Sequence, residues 1–146
     1  MRIVAQRVQH ASVEIDSKTV SRISNGLLVF LGIKTGDTTK DADYLVRKII
    51  NLRIFQDEHG KMNKSLQEKA YELMVISQFT LYGDCRKGRR PSFTGAMDPL
   101  EAEKLYDYFV NSVRENKIDV KTGVFGANMS ISLVNDGPVT FIIESI

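Results

Sequence analysis

A short polar segment follows an apolar run near the middle of the sequence, and it contains the side chains best suited to chemistry. The apolar run is Leu73–Ile76, which has the composition of a buried strand. Polar residues at the end of such a strand often lie at the mouth of a pocket, where backbone N–H groups leave the sheet and can point at a ligand. The alternative is a strand that ends in an ordinary loop. The candidate site residues of this segment are Ser77, Gln78, Phe79 and Thr80.

Two further segments have unusual compositions. Arg86–Arg90 places four cations within five residues, which predicts either a loop that binds phosphate groups or a loop that is merely solvated. Asn135–Thr140 contains Asn, Asp, Gly and Pro between two apolar segments, a composition typical of a β-turn. The cations that would contact phosphate are Arg86, Lys87, Arg89 and Arg90.

The composition argues against metal-dependent chemistry and against a catalytic triad. The chain has one cysteine, Cys85, and two histidines, His10 and His59, which do not have metal-ligand spacing. Neither histidine lies beside a nucleophile in a motif of a serine or cysteine hydrolase. We therefore expect no metal and no cofactor, and we expect both histidines to be ordinary surface residues.

The elements that must position these segments are mostly strands. Alternating apolar and polar residues over Ala11–Ile15 predict a half-buried strand, and the apolar run Leu27–Leu31 predicts a strand buried on both faces. Two helices are expected to begin near Thr38 and at Pro99, each after a capping residue. Three more strands are expected towards the C-terminus, over Val124–Phe125, Met129–Val134 and Val139–Ile143.

Together these elements predict an α+β fold with a curved, mostly antiparallel, barrel-like sheet and two main helices. Because the 146 residues contain no linker and no repeat, residues 1–146 are expected to form a single domain. The apolar strand Val139–Ile143 would be an aggregation-prone edge unless another strand or a second subunit covers it. No apolar stretch reaches the roughly 18 residues of a spanning helix, and no signal peptide is visible, so we expect a cytoplasmic protein that does not enter the membrane.

Two of these segments resemble the signature motifs of a known family. Ser77–Thr80 (Ser-Gln-Phe-Thr) and Asn135–Thr140 (Asn-Asp-Gly-Pro-Val-Thr) are similar to the two motifs of the D-aminoacyl-tRNA deacylases. The resemblance continues over Met1–Val8, Arg86–Phe93 and Thr122–Met129, so that it spans essentially the whole chain. Either motif alone would be weak evidence, whereas both in order, in a chain of the expected length, are specific.

The resemblance implies a homodimeric enzyme that hydrolyses the ester bond of D-aminoacyl-tRNA, and mischarged glycyl-tRNA as well. The backbone N–H of Phe79, with help from Gln78, would stabilise the tetrahedral oxyanion, and a ribose hydroxyl of the RNA would transfer the proton. The rival mechanism uses Thr80 as a nucleophile, although the sequence offers no evident base to activate it. Met129 and Asn135 are implied as pocket residues.

The resemblance also implies how D- and L-amino acids would be distinguished. Gly137 and Pro138 would be joined by a cis peptide bond and would reach into the pocket of the partner subunit, where the backbone excludes an L side chain. The sequence alone would predict a trans bond, because X-Pro bonds are usually trans. Two other functions stay open here. One is a non-catalytic RNA-binding module that uses Arg86–Arg90. The other is an editing domain for an L-amino acid, like that attached to some threonyl-tRNA synthetases.

Overall fold

A curved, nearly closed sheet of six strands forms the centre of the computed structural model, which describes residues 1–146. A separate two-stranded hairpin, one short helix and two long helices complete the fold. The strands are β1 (Arg2–Ile15), β2 (Lys18–Ile23), β3 (Gly26–Gly32), β4 (Phe55–Gln56), β5 (Met62–Lys64), β6 (Glu72–Ser77), β7 (Val120–Thr122) and β8 (Ser130–Glu144). The helices are α1 (Thr39–Asn51), α2 (Leu66–Lys69) and α3 (Pro99–Glu115), and a 3₁₀ turn covers Phe79–Tyr82.

Strand β1 organises the sheet because it pairs along both of its edges. One edge pairs with β3 over Arg2–Val8 and with β2 over Ala11–Ile15, and the other edge pairs with β8 over most of its length. These pairs are antiparallel, as is β4 with β5, whereas β3 with β6 and β6 with β7 are parallel. The predicted α+β fold, with its mostly antiparallel, barrel-like sheet and two main helices, is confirmed.

The core lies on both faces of the sheet. On one face, alternate residues of β1, β3 and β6 pack against α1 and α3 in a cluster of 25 buried residues. On the other face, a smaller cluster of seven includes Val8, Leu28, Met74 and Ile76. Burial on both faces explains why β3 and β6 are continuously apolar. The hydroxyl of Tyr106 on α3 donates to the carbonyl of Val75 at 2.8 Å and so fixes α3 against β6.

The two long helices begin where their capping residues predict. The N–H of Thr38 donates to the Asp41 carboxylate at 2.8 Å at the start of α1. The Asp98 carboxylate accepts from the N–H of Leu100 at 3.0 Å at the start of α3. These bonds satisfy groups that a helix end leaves unpaired. No helix of the chain combines the length and the apolar character needed to cross a membrane.

Two expectations for the C-terminal third were wrong. Val124–Phe125 lies in a loop, and the strand of this region is β7, two residues earlier. Asn135–Thr140 is not a reversing turn, because β8 runs through it as one strand with irregular register opposite Gln6–His10. The side chain of Asn135 accepts from the N–H of Val139 at 3.0 Å and donates to the Val139 carbonyl at 3.2 Å. The Asn-Asp-Gly-Pro residues therefore form a bulge within β8, and the strand continues beyond them.

Candidate active site

A cavity of about 660 Å³ lies where β3 and β6 end. The 3₁₀ turn, the start of α3 and the loop before β8 form its walls, and most of its lining is apolar. Parallel strands β3 and β6 are in register from Gly26–Glu72 to Leu31–Ser77, so both deliver their last residues to this edge of the sheet. Its lining includes Ile33, Ile76, Ser77, Gln78, Phe79, Phe93, Met97, Ala102, Phe125, Asn128, Met129 and Ile131.

The predicted segment Ser77–Thr80 forms one rim of this cavity, with Ser77, Gln78 and Phe79 in its lining. Gln78 still belongs to the sheet through its N–H, which donates to the Leu31 carbonyl at 2.8 Å. The chain then enters the 3₁₀ turn, and the N–H of Phe79 donates to no side chain and to no carbonyl of a loop or turn. The first N–H groups of a helical turn have no partner within the turn. The N–H of Phe79 is therefore available to a ligand.

Thr80 has no base beside it. The one side-chain hydrogen bond of its hydroxyl is a short one that it accepts from the amide of Gln78. An amide cannot remove a proton from a hydroxyl, and no histidine, lysine or carboxylate is hydrogen-bonded to Thr80. The local geometry thus orients the Gln78 amide and offers Thr80 no activation as a nucleophile.

Arg2 anchors the 3₁₀ turn from the far end of the chain. Its Nη1 donates to the Leu81 carbonyl at 2.7 Å, its Nε pairs with Glu144 at 2.5 Å, and its guanidinium lies 5.0 Å from the ring centre of Tyr82. Burial, followed by the charge of Asp37, raises the pKa of the Tyr82 hydroxyl, which therefore stays neutral. Sequence reasoning missed Arg2 as a site residue because its partners lie 79 and 142 residues away.

Aromatic and sulfur side chains line the rest of the opening. Phe79 is 58% exposed and meets Phe93 edge to face, with ring centres 5.0 Å apart. Such pairs fix the relative orientation of two rings. Met129 lines the cavity, and its sulfur would lie 2.3 Å from a Cβ at position 123, so a side chain there would displace Met129. The opening can hold a flat, partly apolar group against Phe79.

The predicted basic residues lie in an exposed loop that connects the 3₁₀ turn to Phe93. Asp84 accepts from the backbone N–H of Arg86 at 3.0 Å and from its guanidinium at 2.6 and 2.9 Å. These bonds hold the pKa of the Asp84 carboxyl well below its ordinary value. Arg86 is therefore already paired, whereas Lys87, Arg89 and Arg90 are exposed and form no ion pair. None of the four lines the cavity.

Gly137 and Pro138 lie on β8 away from the cavity of their own chain, exposed at the surface, and the peptide bond between them is cis. Asn135 braces this segment through Val139 and does not line the cavity either. Beneath the segment lies Arg7, which is 5% exposed. Its Nε is 2.9 Å from the Asp136 carboxylate, and its Nη1 donates to the Ile54 carbonyl at 2.5 Å.

The structure thus divides the predicted residues into separate groups. Ser77, Gln78, Phe79 and Met129 meet at one cavity, with Thr80 beside them. The basic loop adjoins this group through Phe93. Gly137 and Pro138, which are exposed, and the half-buried Asn135 form a separate group on β8. No cluster of three or more histidine, cysteine or acidic side chains suited to a metal ion is present in the 146 residues.

Comparison with known proteins identifies the family. The model of the D-Tyr-tRNA(Tyr) deacylase family matches residues 4–144. A D-aminoacyl-tRNA deacylase of Desulfatibacillum aliphaticivorans is 59% identical over 145 residues, which cover 99% of each chain. The solved structure of a c-Myc DNA unwinding element binding protein is 43% identical and superposes with a TM-score of 0.94, covering 100% of this chain and 99% of that one.

A second solved structure is similar in fold alone. It is a probable eukaryotic D-amino acid tRNA deacylase that is 20% identical and has a TM-score of 0.81, with 98% of each chain covered. Both the family model and the 59% identical relative extend over nearly the whole chain. The cavity rim Ser77–Thr80 and the β8 segment Asn135–Thr140 lie within the matched residues. This chain therefore belongs to the D-Tyr-tRNA(Tyr) deacylase family of enzymes.

Proposed function

We propose that this protein hydrolyses the ester bond of D-aminoacyl-tRNA and of mischarged glycyl-tRNA, releasing the amino acid and the tRNA. The observation that carries the proposal is the unpartnered N–H of Phe79 on the rim of a largely apolar cavity, within a chain of this family. We propose further that residues 1–146 act as one domain, in the cytosol, where charged tRNA is used.

Hydrolysis of the aminoacyl ester does not require a strong nucleophile among the side chains, because an ester is already activated. Attack by water on the acyl carbon converts the carbonyl oxygen to an oxyanion, which a preorganised N–H stabilises most strongly in an enclosed site. In our proposal the N–H of Phe79 donates to this oxygen, and the Gln78 amide, oriented by Thr80, lies beside it. The Thr80 hydroxyl has no base within hydrogen-bonding distance. In our proposal the neighbouring ribose hydroxyl of the tRNA accepts the proton of the attacking water and passes its own proton to the ester oxygen, which leaves as a ribose hydroxyl while the acyl group leaves as the free amino acid.

Selection for D-amino acids is assigned to Gly137 and Pro138 of a partner subunit. Both residues are exposed and lie outside the cavity of their own chain. β8 also carries exposed apolar side chains, among them Ile142, which is 71% exposed, and such a strand favours association with a second copy. In a homodimer the Gly137–Pro138 backbone would face the α-carbon of the substrate, where an L side chain collides with it and a D side chain or glycine does not.

One comparison of substrates tests the proposed function. The protein is incubated with D-tyrosyl-tRNA, L-tyrosyl-tRNA and glycyl-tRNA, and loss of the ester is followed. We expect hydrolysis of the D and glycyl esters only. Binding of all three without hydrolysis would instead identify a non-catalytic RNA-binding module, and hydrolysis of the L ester would identify an editing domain for L-amino acids.

Replacing Thr80 by alanine should leave most of the activity. The hydroxyl only accepts from the Gln78 amide, so its loss should lower kcat by about tenfold or less, whereas loss of a nucleophile costs several orders of magnitude. Single-turnover rates for wild type and Thr80→Ala decide between the two mechanisms. A covalent aminoacyl ester trapped on Thr80 would contradict the proposed mechanism.

Neutralising the basic loop should weaken binding of tRNA without changing the chemistry. Arg89→Ala and Arg90→Ala should each lower the slope of log affinity against log salt by about one, because each exposed cation is proposed to contact one phosphate. Arg86→Ala is the matched control, since this side chain is held by Asp84 and should have a smaller effect. Equal affinities and slopes for all four proteins would mean that the loop is merely solvated.

A further inference from the structure

A second concave surface, here called the cationic cleft, lies at the C-terminal end of α1. Its volume is about 410 Å³, and its two apolar side chains are Tyr44 and Leu52. The remaining lining residues are polar or cationic: Arg47, Lys48, Asn51 and Arg53. None of the residues identified above as part of the candidate active site belongs to it.

The cations of the cleft lack acidic partners. Arg47, Lys48 and Arg53 form no ion pair, and no carboxylate lines the cleft. Elsewhere on the surface, Arg2, Arg86, Lys104 and Lys121 are paired with Glu144, Asp84, Glu101 and Asp119. Other exposed cations, such as Lys87, Arg89 and Arg90, are unpaired like those of the cleft, which differs from them in gathering its cations around one concavity. Three unpaired cations around one concavity create a local positive potential, which attracts anions.

Neighbouring groups of the protein interact with only some of the cations of the cleft. The carbonyls at the end of α1 favour one cation in its last turn, a role that Lys48 fills. Asn51 donates to the carbonyl of Arg47 at 2.8 Å and so satisfies part of the helix end. Hydrogen bonds from Ser65 hold the pKa of the Glu68 carboxyl below its ordinary value, with smaller contributions from Lys64 and Arg53, so Glu68 is committed to Ser65. Arg47 and Arg53 remain for a ligand.

The cleft lies at the end of the sheet opposite to the cavity of its own chain. β3 and β6 deliver Leu31 and Ser77 to the cavity, whereas Arg7 pairs with Leu27 near the other end. Four residues of a strand, from Leu27 to Leu31, span roughly 13 Å. Arg7 also contacts the carbonyl of Ile54, the residue that follows Arg53. The chain that leaves the cleft after Arg53 is thus in contact with Arg7, and Nη2 of Arg7 lies 3.1 Å from the position of a Cβ on Gly137.

We propose that the cationic cleft binds phosphate groups of the tRNA whose acylated end occupies the cavity of the partner subunit. This inference rests on the proposed function, in which Gly137 and Pro138 of one subunit enter the partner's cavity. Arg7 contacts both Ile54, which follows the cleft residue Arg53, and the segment that contains Gly137. One subunit would therefore supply both the selective backbone and a phosphate site to the cavity of its partner. Guanidinium groups suit the ligand because they can bind phosphate oxygens in pairs.

The test compares wild type with the triple variant Arg47→Gln, Lys48→Gln and Arg53→Gln. We expect KM for D-tyrosyl-tRNA to rise about tenfold or more, and the salt slope of tRNA binding to fall by about two, with kcat unchanged. Hydrolysis of D-tyrosyl-adenosine, which has no phosphate to bind, should be unchanged. The control variant, Lys18→Gln, Arg22→Gln and Lys117→Gln, loses the same charge from exposed positions outside the cleft and should behave as wild type.

Binding of uncharged tRNA separates failure of this inference from failure of the proposed function. If wild type hydrolyses D-tyrosyl-tRNA but the cleft variant keeps its affinity and salt slope, the inference is wrong and the function stands. If wild type hydrolyses no ester, the function is wrong, and a cleft variant with a weaker affinity still supports a phosphate site. Inorganic phosphate that competes as well as tRNA would overturn the assignment to RNA.

Mixed dimers test the contribution of the partner. One subunit carries Phe79→Pro together with the cleft substitutions, and the other is wild type. In this dimer only the wild-type subunit has an intact cavity, and its partner carries the neutralised cleft. If the cleft serves the cavity of the partner subunit, KM is high. If the two lesions are placed on different subunits, the intact cavity meets an intact cleft, and KM is normal. The reverse pattern, or a protein that acts as a monomer, would refute the partner arrangement.

Discussion

Replacing Phe79 by proline should lower kcat for hydrolysis of D-aminoacyl-tRNA by about 100- to 1,000-fold, the range observed when one oxyanion donor is removed. Proline has no N–H, and it fits the first position of a helical turn, where Phe79 stands. Because the N–H of Phe79 has no partner in a turn, loop or side chain, its removal costs the fold little. The change therefore removes the proposed donor and leaves its surroundings in place.

Phe79→Ala is the control for this experiment because it removes the ring and keeps the N–H. It should raise KM, since the edge-to-face pair with Phe93 is lost, and should change kcat much less. Single-turnover kinetics with D-tyrosyl-tRNA, and thermal unfolding of both variants, separate chemistry from stability. Equal kcat values for the proline and alanine variants would exclude the N–H of Phe79 as the oxyanion donor.

Gly137→Val should reduce the preference for D- over L-tyrosyl-tRNA by about 100-fold, which corresponds to about 2.7 kcal/mol. Gly137 has a φ of 123°, a conformation that L side chains rarely adopt, and a Cβ there would lie 2.8 Å from Cγ2 of Val139 and 3.1 Å from Nη2 of Arg7. The backbone must shift to admit the side chain. If the Gly137–Pro138 backbone excludes L side chains by collision, the exclusion depends on where that backbone lies. A small displacement of the backbone therefore removes the clash with an L side chain.

The ratio of kcat/KM for the two esters measures this effect. Gly60→Ala is the matched control: Gly60 also has a positive φ, of 74°, but a Cβ there meets nothing within 4 Å. It should lose some stability and keep the full D preference. An unchanged ratio in a folded Gly137→Val dimer would show that selection resides elsewhere.

Local patterns predicted the parts of the fold that depend on neighbouring residues. The buried strands β3 and β6 and the starts of α1 and α3 follow from apolar runs and capping residues. The position of Ser77–Thr80 at a cavity rim follows from its place after a buried strand. Asn135–Thr140 was misread because composition cannot distinguish a turn from a bulge. The distinction depends on β1, which holds both halves of β8 in one ladder.

Long-range contacts explain what the sequence could not predict. Arg2 is an unremarkable residue in the second position, and only the pairing of β1 with β8 brings it to Glu144 and to the 3₁₀ turn. Arg7 is likewise positioned by its contacts with Asp136 and Ile54, two residues so far away in sequence that no local pattern predicts the contacts. The cationic cleft escaped detection because Arg47, Lys48 and Arg53 have the spacing of ordinary solvated residues, and their convergence depends on how the chain leaves α1.

The contact between the two ends of the chain also has a consequence for the order of folding. The N-terminal amine pairs with Asp37 at 2.7 Å and with Ser145 at 2.6 Å, and the N–H of Ser145 donates to the Met1 carbonyl at 2.9 Å. Arg2 holds the 3₁₀ turn while it is itself held by Glu144. Contacts between residues so far apart in sequence require a large loop to close, which makes them slow to form. During synthesis the 3₁₀ turn therefore lacks its anchor until β8 has left the ribosome, and hydrolytic activity should appear only once β8 has paired with β1.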